Sequence, residues 1–559
     1  MKDFAFSSVI SSLPENILLG LRHIYFRHSI CNLVGNLFRT FSLIIFISFC
    51  FGQGGMPENN LANELGCGNC HGGASASSII KNRAPDLSYA GLKYNEAFLF
   101  DYLKSPKSIR KNIGKSRMPD FEFSDDEALA LTKYLMTRKN LPHGRTLSQS
   151  RIRNNDNGFN LIHNELQCTA CHTLNGEGEE KSTDLTEAGV RLQPNWLYDL
   201  ILNPSSYVPR ESPMPSFFNK EDPTVLKTIK TIVGYLGNIG EIRGKTLNQK
   251  LNTAIKENAS VTSRMGRDIF LSQNCQACHD MTGENNWFEN HNAPDLTHQR
   301  MKTPSGWLLQ YLKNPSPIRP NGYFPGTGSR MPNYNLSELE VEVLGDWLGG
   351  AISKTKLLKI SDFQSDKVER LLNDFLPCLG CHTLNGNGGK IGPDLSNVGN
   401  RLTDGFIKMA IQMPHMVMPE SIMPKTAMDP KMIPLIQSYF AQSASNKRVQ
   451  YLNLIQNRPY PIENKYIANC ASCHGSKGDG AGFNAAYLPI KPGDFTNGKL
   501  IGQKADDTLY DTIHVGGRIM NKSNFMPGWG EKLSQKEIVG YVQTIRDFCD
   551  CEQPGWAKK

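Results

Sequence analysis

Three stretches of the chain repeat apolar residues at helical spacing directly after the pattern Ser-x-x-Glu. They begin Ser124-Asp-Asp-Glu127, Ser337-Glu-Leu-Glu340 and Ser534-Gln-Lys-Glu537. The pattern is a capping box, in which the serine and glutamate side chains pair with unpaired N–H groups of the first helical turn. The sequence therefore predicts a helix after each serine, and we give these caps a structural role only.

Residues 41–51 read FSLIIFISFCF, an uncharged and mostly apolar run of 11 residues that follows Arg39. This length fits the apolar region of a secretory signal and is short for a membrane-spanning helix. We expect residues 1–55 to be a signal peptide or membrane anchor, cleaved near Cys50 or within the following GQGG. The ISFC that ends at Cys50 loosely resembles a lipidation site, but Phe49 stands where a small residue is usual. A lipidated Cys50 and a removed or buried Cys50 therefore both stay open. No later stretch is apolar enough to cross a membrane.

The 559 residues include 14 cysteines, and ten of these lie in the pattern C-x-x-C-H, which occurs five times. The five copies are Cys67–Cys70–His71, Cys168–Cys171–His172, Cys275–Cys278–His279, Cys378–Cys381–His382 and Cys470–Cys473–His474. Five regularly spaced copies exclude chance. A chain of this length also suggests several domains.

Two cysteines three positions apart near a helix end present both sulfurs to the same side. They can form thioethers with the two vinyl groups of one haem, while the adjacent histidine meets the iron; this is the attachment signature of c-type haem. A structural zinc site would need four protein ligands, and five motifs do not pair evenly into such sites. A thioredoxin-like site would need one copy in a βαβ unit. The motifs therefore predict five covalently bound c-type haems.

A methionine that directly precedes proline follows each motif, 41 to 52 residues after the histidine. These candidate sixth ligands of the iron are Met118, Met214, Met331, Met423 and Met526. A lone methionine is more often core filler, but five at corresponding positions favour ligands. Proline stiffens the loop that presents the sulfur. Histidine and methionine together raise the haem potential and are typical of electron transfer.

The fourth candidate site contains four crowded methionines: Met413, Met416, Met418 and Met423. We choose Met423 because ESIMP, which contains it, matches the ESPMP that contains Met214. Met418 also precedes proline and is the alternative.

Each motif with its methionine resembles a class I cytochrome c domain, and together these domains cover nearly all of the chain after residue 55. The resemblance implies an all-α fold of five tandem small helical bundles. In each, an N-terminal helix ends at the haem motif and a C-terminal helix packs across it. The predicted domains, named segments 1 to 5 below, are residues 56–142, 150–243, 262–353, 365–445 and 460–551.

The family also has a proline after the motif whose carbonyl accepts a hydrogen bond from the haem histidine. The resemblance assigns this role to Pro85, Pro294 and Pro393, and more loosely to Pro492. Segment 2 departs from the family with Thr183, whose carbonyl can still accept. An acceptor of this kind orients the imidazole and tunes the iron.

Two nonapeptides, YLKSPKSIR at 102–110 and YLKNPSPIR at 311–319, lie 209 residues apart. The first and third motifs are 208 apart, and the second and fourth are 210 apart. The order therefore reads A-B-A′-B′-C, a duplicated two-haem unit followed by a different fifth domain. We expect A to pack with B and A′ with B′ in a similar way. Polar linkers are expected near 140–155, 243–262, 353–366 and 443–460.

Three of the four cysteines and five of the histidines outside the haem motifs indicate no further functional site. Cys31 is expected to leave with the signal, and Cys549 and Cys551 form a disulfide, pair with another chain or belong to an inert tail. Five further histidines lack metal-ligand spacing and are interpreted as surface or packing residues: His163, His291, His298, His415 and His514.

The formal net charge of +8 comes without a Lys/Arg run, which argues against nucleic acid. It leaves open a mixed solvated surface or a basic face that docks an acidic partner.

The resemblance implies an electron-transfer protein on the outer face of the cytoplasmic membrane or in the periplasm, with membrane association through its N-terminus. Its expected redox partners are a quinol-oxidising complex and a terminal oxidase or reductase, and it could be a subunit of such a complex. The alternatives are a haem enzyme, such as a peroxidase or a sulfur-compound oxidoreductase with one open iron site, and a haem-based sensor. A methionine at all five sites argues against the enzyme, and the absence of a recognisable signalling domain argues against the sensor.

Overall fold

The structure of the protein is a computed structural model, which describes residues 58–71, 74, 84–109, 117–141, 146–148, 151–153, 156–207, 214–219, 221–283, 293–323, 328–349, 358–418, 421–442 and 465–558. The predicted signal or anchor at 1–55, with Cys31 and Cys50, lies outside the described residues. So do His291 and the linker at 443–460.

The described chain is all-α, as predicted. Its helices up to residue 257 are α1 (Glu58–Leu65), α2 (Ala90–Lys93), α3 (Glu96–Lys104), α4 (Asp125–Met136), α5 (Gly158–Asn160), α6 (Ala188–Arg191), α7 (Pro194–Leu202), α8 (Pro223–Ile239) and α9 (Glu241–Glu257). The next are α10 (Ser263–Ser272), α11 (Gln299–Lys302), α12 (Ser305–Lys313), α13 (Glu338–Leu348), α14 (Asp362–Arg370), α15 (Cys378–Cys381), α16 (Val398–Arg401), α17 (Asp404–Gln412), α18 (Pro414–Val417) and α19 (Met432–Gln442). Segment 5 contributes α20 (Lys465–Asn469), α21 (Ala471–His474), α22 (Gly498–Ile501), α23 (Asp506–Val515) and α24 (Gln535–Cys549).

Paired strands within the described residues are confined to two short antiparallel hairpins. Strands β1 (Thr173–Leu174) and β2 (Glu177–Gly178) follow the second motif, and β3 (Thr383–Leu384) and β4 (Asn387–Gly388) follow the fourth. Asn175 and Asn385 take a positive φ in the two turns, a conformation that asparagine tolerates better than most residues. The hairpins therefore mark segments 2 and 4 as equivalent, in agreement with the repeat read from the sequence.

All three predicted capping boxes are confirmed. The backbone N–H of Ser124 donates to Glu127 at 3.1 Å, that of Ser337 to Glu340 at 2.8 Å, and that of Ser534 to Glu537 at 2.9 Å. They start α4, α13 and α24, the C-terminal helices of segments 1, 3 and 5.

The linker predicted at 243–262 is instead largely helical, because α9 carries an apolar stripe that packs. Leu247, Leu251 and Ala254 are buried in one core with α3 and α4 of segment 1 and α10 of segment 3. Lys250 on α9 also pairs with Asp101 on α3 at 2.7 Å. The connection between segments 2 and 3 is therefore part of a core that segments 1 and 3 share.

The packing of A with B recurs in A′ with B′, as the duplication predicts. In the first pair the Gln193 N–H donates to the Lys93 carbonyl at 3.0 Å, and in the second the Thr403 N–H donates to the Lys302 carbonyl at 2.9 Å. Lys93 and Lys302 end the equivalent helices α2 and α11, and the two donors precede α7 and α17. The two copies therefore use the same backbone contact.

Two further features are a disulfide near the C-terminal end of α24 and the length and hydropathy of the helices. Cys549 and Cys551 form a disulfide, one of the alternatives left open by the sequence. None of the helices in the described part of the chain is both long and apolar enough to span a bilayer.

Candidate haem sites

All five C-x-x-C-H motifs adopt the same local turn. In each, the backbone N–H of the histidine donates to the carbonyl of the first cysteine, at 2.9–3.0 Å. The turn is a short 3₁₀ helix at Cys67–Asn69, Cys168–Ala170 and Cys275–Ala277, and part of α15 and α21 in segments 4 and 5. This single turn brings the two sulfurs and the imidazole together, as attachment to one haem requires.

The motif histidines of segments 2, 4 and 5 bind a carbonyl within their own segment. The Nδ1 of His172 lies 2.7 Å from the Thr183 carbonyl oxygen, and that of His382 lies 2.8 Å from the Pro393 oxygen. Thr183 therefore accepts as the missing proline would. Pro393 acts as the resemblance implies.

The assignment of Pro492 in segment 5 is wrong by one residue. The Nδ1 of His474 lies 3.2 Å from the carbonyl oxygen of Gly493, not from that of Pro492. The loop reads KPGDF where segments 1, 3 and 4 read PDL, and the extra glycine places the next carbonyl at the ring.

In segments 1 and 3 the predicted proline carbonyls do bind motif histidines, but each binds the histidine of the other segment. The Nδ1 of His71 lies 2.8 Å from the Pro294 oxygen, and the Nδ1 of His279 lies 2.9 Å from the Pro85 oxygen. The expectation that Pro85 serves His71 and Pro294 serves His279 is therefore wrong. Each of these two histidines is oriented by the other segment.

These contacts fix the protonation of the rings. A carbonyl oxygen only accepts, so Nδ1 carries the hydrogen and Nε2 keeps its lone pair, the form that ligates a metal. Burial also lowers the pKa of His71, His279 and His382, which keeps their imidazoles neutral.

The thiols of Cys67 and Cys275 differ from the reactive thiols of redox sites. Burial raises the pKa of Cys67 and of Cys275 to about 12, whereas reactive thiols have a lowered pKa. Among the residues that the structure describes, no three His, Cys, Asp or Glu side chains converge as metal ligands. The raised pKa of these two thiols favours haem attachment over the thiol-redox alternative.

Four of the motifs open onto one connected cavity of about 1250 Å³, larger than the ~300–1,000 Å³ typical of a small-molecule site. Its walls are mostly apolar. Among the lining residues are His71, His279, His382, His474, Met118, Met331, Met418, Met423 and Met526, together with motif cysteines of segments 1, 3, 4 and 5. A large apolar space bordered by paired thiols, imidazoles and thioethers has the shape and the donor set that several haems need.

Segment 2 is built differently around its motif. Cys171 is exposed, and the residues of its motif are not part of this cavity. Met214 is half-buried on the segment 2 loop. The second site is therefore the most open of the five motifs to solvent.

An arginine on each of the loops that carry Met118 and Met331 pairs with a glutamate of the other segment, a contact that sequence reasoning missed. Arg117 donates to Glu340 at 2.9 Å, and Arg330 donates to Glu127 at 2.5 Å. Both glutamates are the capping residues to which we gave only a local role. The missed signal is the tetrapeptide SRMP, which occurs at both of these methionines and at none of the other three.

Glu340 makes this contact dependent on pH. Burial alone would raise the pKa of its carboxyl, but hydrogen bonds from Arg117 and Ser337 lower it from 4.5 to about 2. A pKa lowered by folding stabilises the protein above the ordinary value and loses that contribution as the pH falls through it. We therefore expect acidification from about pH 5 to pH 2 to lower the denaturant midpoint more in the wild-type protein than in Glu340→Gln. Equal losses in the two proteins would contradict this origin of the acid sensitivity.

Segments 4 and 5 meet at a buried asparagine beside two motifs. Asn484 is fully buried, and its amide nitrogen donates to the Gly380 carbonyl at 2.9 Å and to the Cys473 sulfur at 3.3 Å. Its amide oxygen accepts from the Lys390 N–H at 2.7 Å. The fourth and fifth motifs are thereby held side by side.

Comparison with known protein families agrees with this chemistry. Residues 59–139 and 263–350 match the family described as Cytochrome c, and residues 459–543 match the family described as cytochrome c oxidase, cbb3-type, subunit III. A search of curated proteins finds no match. The matched regions fall on segments 1, 3 and 5. The chain thus carries cytochrome c domains. These imply covalently bound c-type haem, and they support a multihaem c-type cytochrome that transfers electrons.

Proposed function

We propose that the protein is a pentahaem c-type cytochrome that carries electrons between redox proteins. The observation that supports this most strongly is the shared cavity, onto which four neutral motif histidines and their candidate methionines open. The fifth motif, in segment 2, has the same local turn and the same histidine–carbonyl bond.

In this proposal each cysteine pair holds one haem, and the adjacent histidine binds its iron. Bound haem supplies reversible one-electron chemistry. The protein keeps each imidazole neutral and oriented through Nδ1, excludes water with apolar walls, and offers a thioether sulfur from a proline-stiffened loop. Within segments 2, 4 and 5 the sixth ligands are Met214, Met423 and Met526.

The contacts between motifs suggest an order for the centres. The Asn69 amide donates to the Ala277 carbonyl at 2.8 Å, which joins the first and third motifs, and Asn484 joins the fourth and fifth. Segments 3 and 4 share the cavity and the contact at Lys302. The proposed path therefore runs through centres 1, 3, 4 and 5, with the centre of segment 2 attached to it through segment 1.

We place the protein in the periplasm or at the outer face of the cytoplasmic membrane, because thioether haem attachment accompanies the signal-like run at 41–51. The partners that fit are a quinol-oxidising complex as donor and a terminal oxidase or reductase as acceptor. The match of segment 5 to the subunit III family of cbb3-type oxidases supports an oxidase-type partner and an exit for electrons at this end.

One observation favours the alternative of a haem enzyme, namely the exposure of Cys171 in segment 2. An iron there with a weak or displaced sixth ligand would be open to a small substrate. Methionine at the other four sites disfavours such chemistry in the shared cavity.

The haem content of the purified full-length protein tests the proposal. We expect intact mass and haem absorbance to give five haems per chain, and each double Cys→Ser variant of one motif to lose one haem. A potentiometric titration should then be fully reversible in both directions. Fewer than five haems, or irreversible loss of a haem on reduction, would contradict it.

The choice between Met418 and Met423 can be decided separately. The Arg319 guanidinium lies 3.7 Å from the Met418 sulfur, a contact that supports Met423 rather than Met418 as the ligand. We expect Met423→Ala to add about one carbon monoxide site per reduced chain and Met418→Ala to add none. The opposite result would make Met418 the ligand.

A further inference from the structure

The crossed histidine–carbonyl bonds of segments 1 and 3 are part of a larger pattern, which begins with the N-terminal helix. In segment 2 this helix packs on its own C-terminal helix, where a Cβ added to Gly158 would lie 2.3 Å from the Tyr235 Cβ. Helix α10 of segment 3 instead crosses α4 of segment 1, where a Cβ added to Gly266 would lie 1.9 Å from the Ala130 carbonyl oxygen. Only glycine permits so close a crossing. In segment 2 the N-terminal helix packs on the C-terminal helix of its own segment. In segment 1 the equivalent position on the C-terminal helix is occupied by the N-terminal helix of segment 3.

A backbone hydrogen bond that follows each motif shows the same crossing. In segments 2 and 4 the residue after the motif histidine accepts from a leucine of the same segment, as Leu185 N–H to Thr173 oxygen and Leu395 N–H to Thr383 oxygen, both at 2.8 Å. The equivalent bond of the third motif runs from the Leu87 N–H of segment 1 to the Asp280 oxygen, at 2.9 Å.

A hydrogen bond to a side-chain hydroxyl, made three residues after the motif histidine, shows the same exchange between segments 1 and 3. The Asn385 N–H donates to the Ser396 hydroxyl at 2.7 Å within segment 4. The equivalent Thr282 N–H of segment 3 donates to the Ser88 hydroxyl of segment 1 at 2.8 Å, and the two side-chain oxygens are 3.0 Å apart. Three bonds that are internal to segment 4 thus connect the third motif to segment 1.

The loops that carry Met118 and Met331 also make contacts between segments 1 and 3. Met118 of segment 1 and Cys275 of the third motif pack against the same apolar core. The loops of Met118 and Met331 are related by reciprocal contacts, since Asp120 and Asn333 exchange backbone hydrogen bonds at 2.7 and 2.6 Å. Because of this local symmetry, we infer that Met331 has the same position relative to the first motif as Met118 has relative to the third.

We propose that segments 1 and 3 exchange their N-terminal parts within one chain, so that two haem sites are each built from both segments. The haem on Cys67 and Cys70 takes His71 from segment 1 and Met331 from segment 3. The haem on Cys275 and Cys278 takes His279 from segment 3 and Met118 from segment 1. This assignment rests on the proposed haem binding, and it means that neither site is complete until both segments have been made.

Paired cysteine variants of the full-length protein test the exchange without using haem spectra. In the exchanged arrangement Ser88→Cys with Thr282→Cys places two thiols where the hydroxyls are now 3.0 Å apart. In an unexchanged arrangement Thr282 would face Thr297, the residue equivalent to Ser88 in segment 3. We expect peptide mass mapping of the oxidised protein to find the 88–282 disulfide and no 282–297 disulfide in the matched Thr282→Cys/Thr297→Cys variant. A 282–297 disulfide without the 88–282 one would overturn the proposal.

The ligand assignment has its own test, measured on the reduced protein with carbon monoxide. In a Cys67→Ser/Cys70→Ser background, which lacks the first haem, Met331→Ala should add no carbon monoxide site and Met118→Ala should add about one per chain. The reverse pattern would return both methionines to their own segments. A haem content below five in the wild-type protein would count against the proposed function, and the disulfide result would still decide the exchange.

Discussion

Replacing Arg330 by alanine is expected to lower the free energy of unfolding by about 3–5 kcal/mol, the cost of leaving a buried carboxylate without its partner. The Arg330 and Glu127 side chains are only 5% and 6% exposed, and their charged atoms lie 2.5 Å apart. The same guanidinium donates to the Phe121 carbonyl at 3.0 Å and lies over the Phe123 ring. Its loss therefore removes an ion pair and a hydrogen bond between the Met331 loop and segment 1.

The matched control is Lys313→Ala, which breaks an ion pair with Glu338 whose two side chains are 58% and 75% exposed. Exposed pairs are worth at most about 1 kcal/mol. Denaturant unfolding of the three purified proteins gives the comparison. The double variant Arg330→Met/Glu127→Gln should recover much of the loss, because no buried charge then remains. A loss in Arg330→Ala no greater than that in Lys313→Ala would show that the contact between the methionine loops is weak.

The second large effect is expected from Met526→Ala in segment 5. Met526 and His474 line the same small cavity, and the Met526 carbonyl is fixed by the Gly517 N–H at 3.0 Å. Removing the thioether should lower the potential of this haem by a substantial part of the roughly 0.8 V that axial ligands span. It should also open the iron to about one carbon monoxide per chain.

Met301→Ala is the control for this variant, because the Met301 side chain is 66% exposed. Spectroelectrochemical titration should give Met301→Ala the wild-type set of potentials and displace one component downward in Met526→Ala. An unchanged set of five potentials in Met526→Ala would remove Met526 from the ligand set.

Features that depend on a few consecutive residues could be predicted from the sequence. The haem motifs and the capping boxes at Ser124, Ser337 and Ser534 are of this kind, because their contacts lie within one turn. The repeat order also predicted that A and B pack alike in both copies. The misplaced acceptor in segment 5 shows the limit, since one extra glycine shifts a carbonyl by one residue.

The crossing between segments 1 and 3 could not be predicted in the same way. Pro85 and Pro294 occupy equivalent positions in two similar repeats, so either can serve either histidine without a change in local sequence. What decides between them is packing between residues far apart in the chain, through Gly266 against α4 and through α9 in the shared core. The pairing of Arg117 and Arg330 with the capping glutamates is non-local for the same reason.

The most direct test of the electron-transfer account is a carbon monoxide titration of the dithionite-reduced wild-type protein. The account predicts five low-spin haems and no carbon monoxide bound at any of them, because a methionine closes every iron. Binding at one haem would contradict it and would make that site an open one, with segment 2 the first to examine through Met214→Ala. The haem enzyme would then be the better description of the protein.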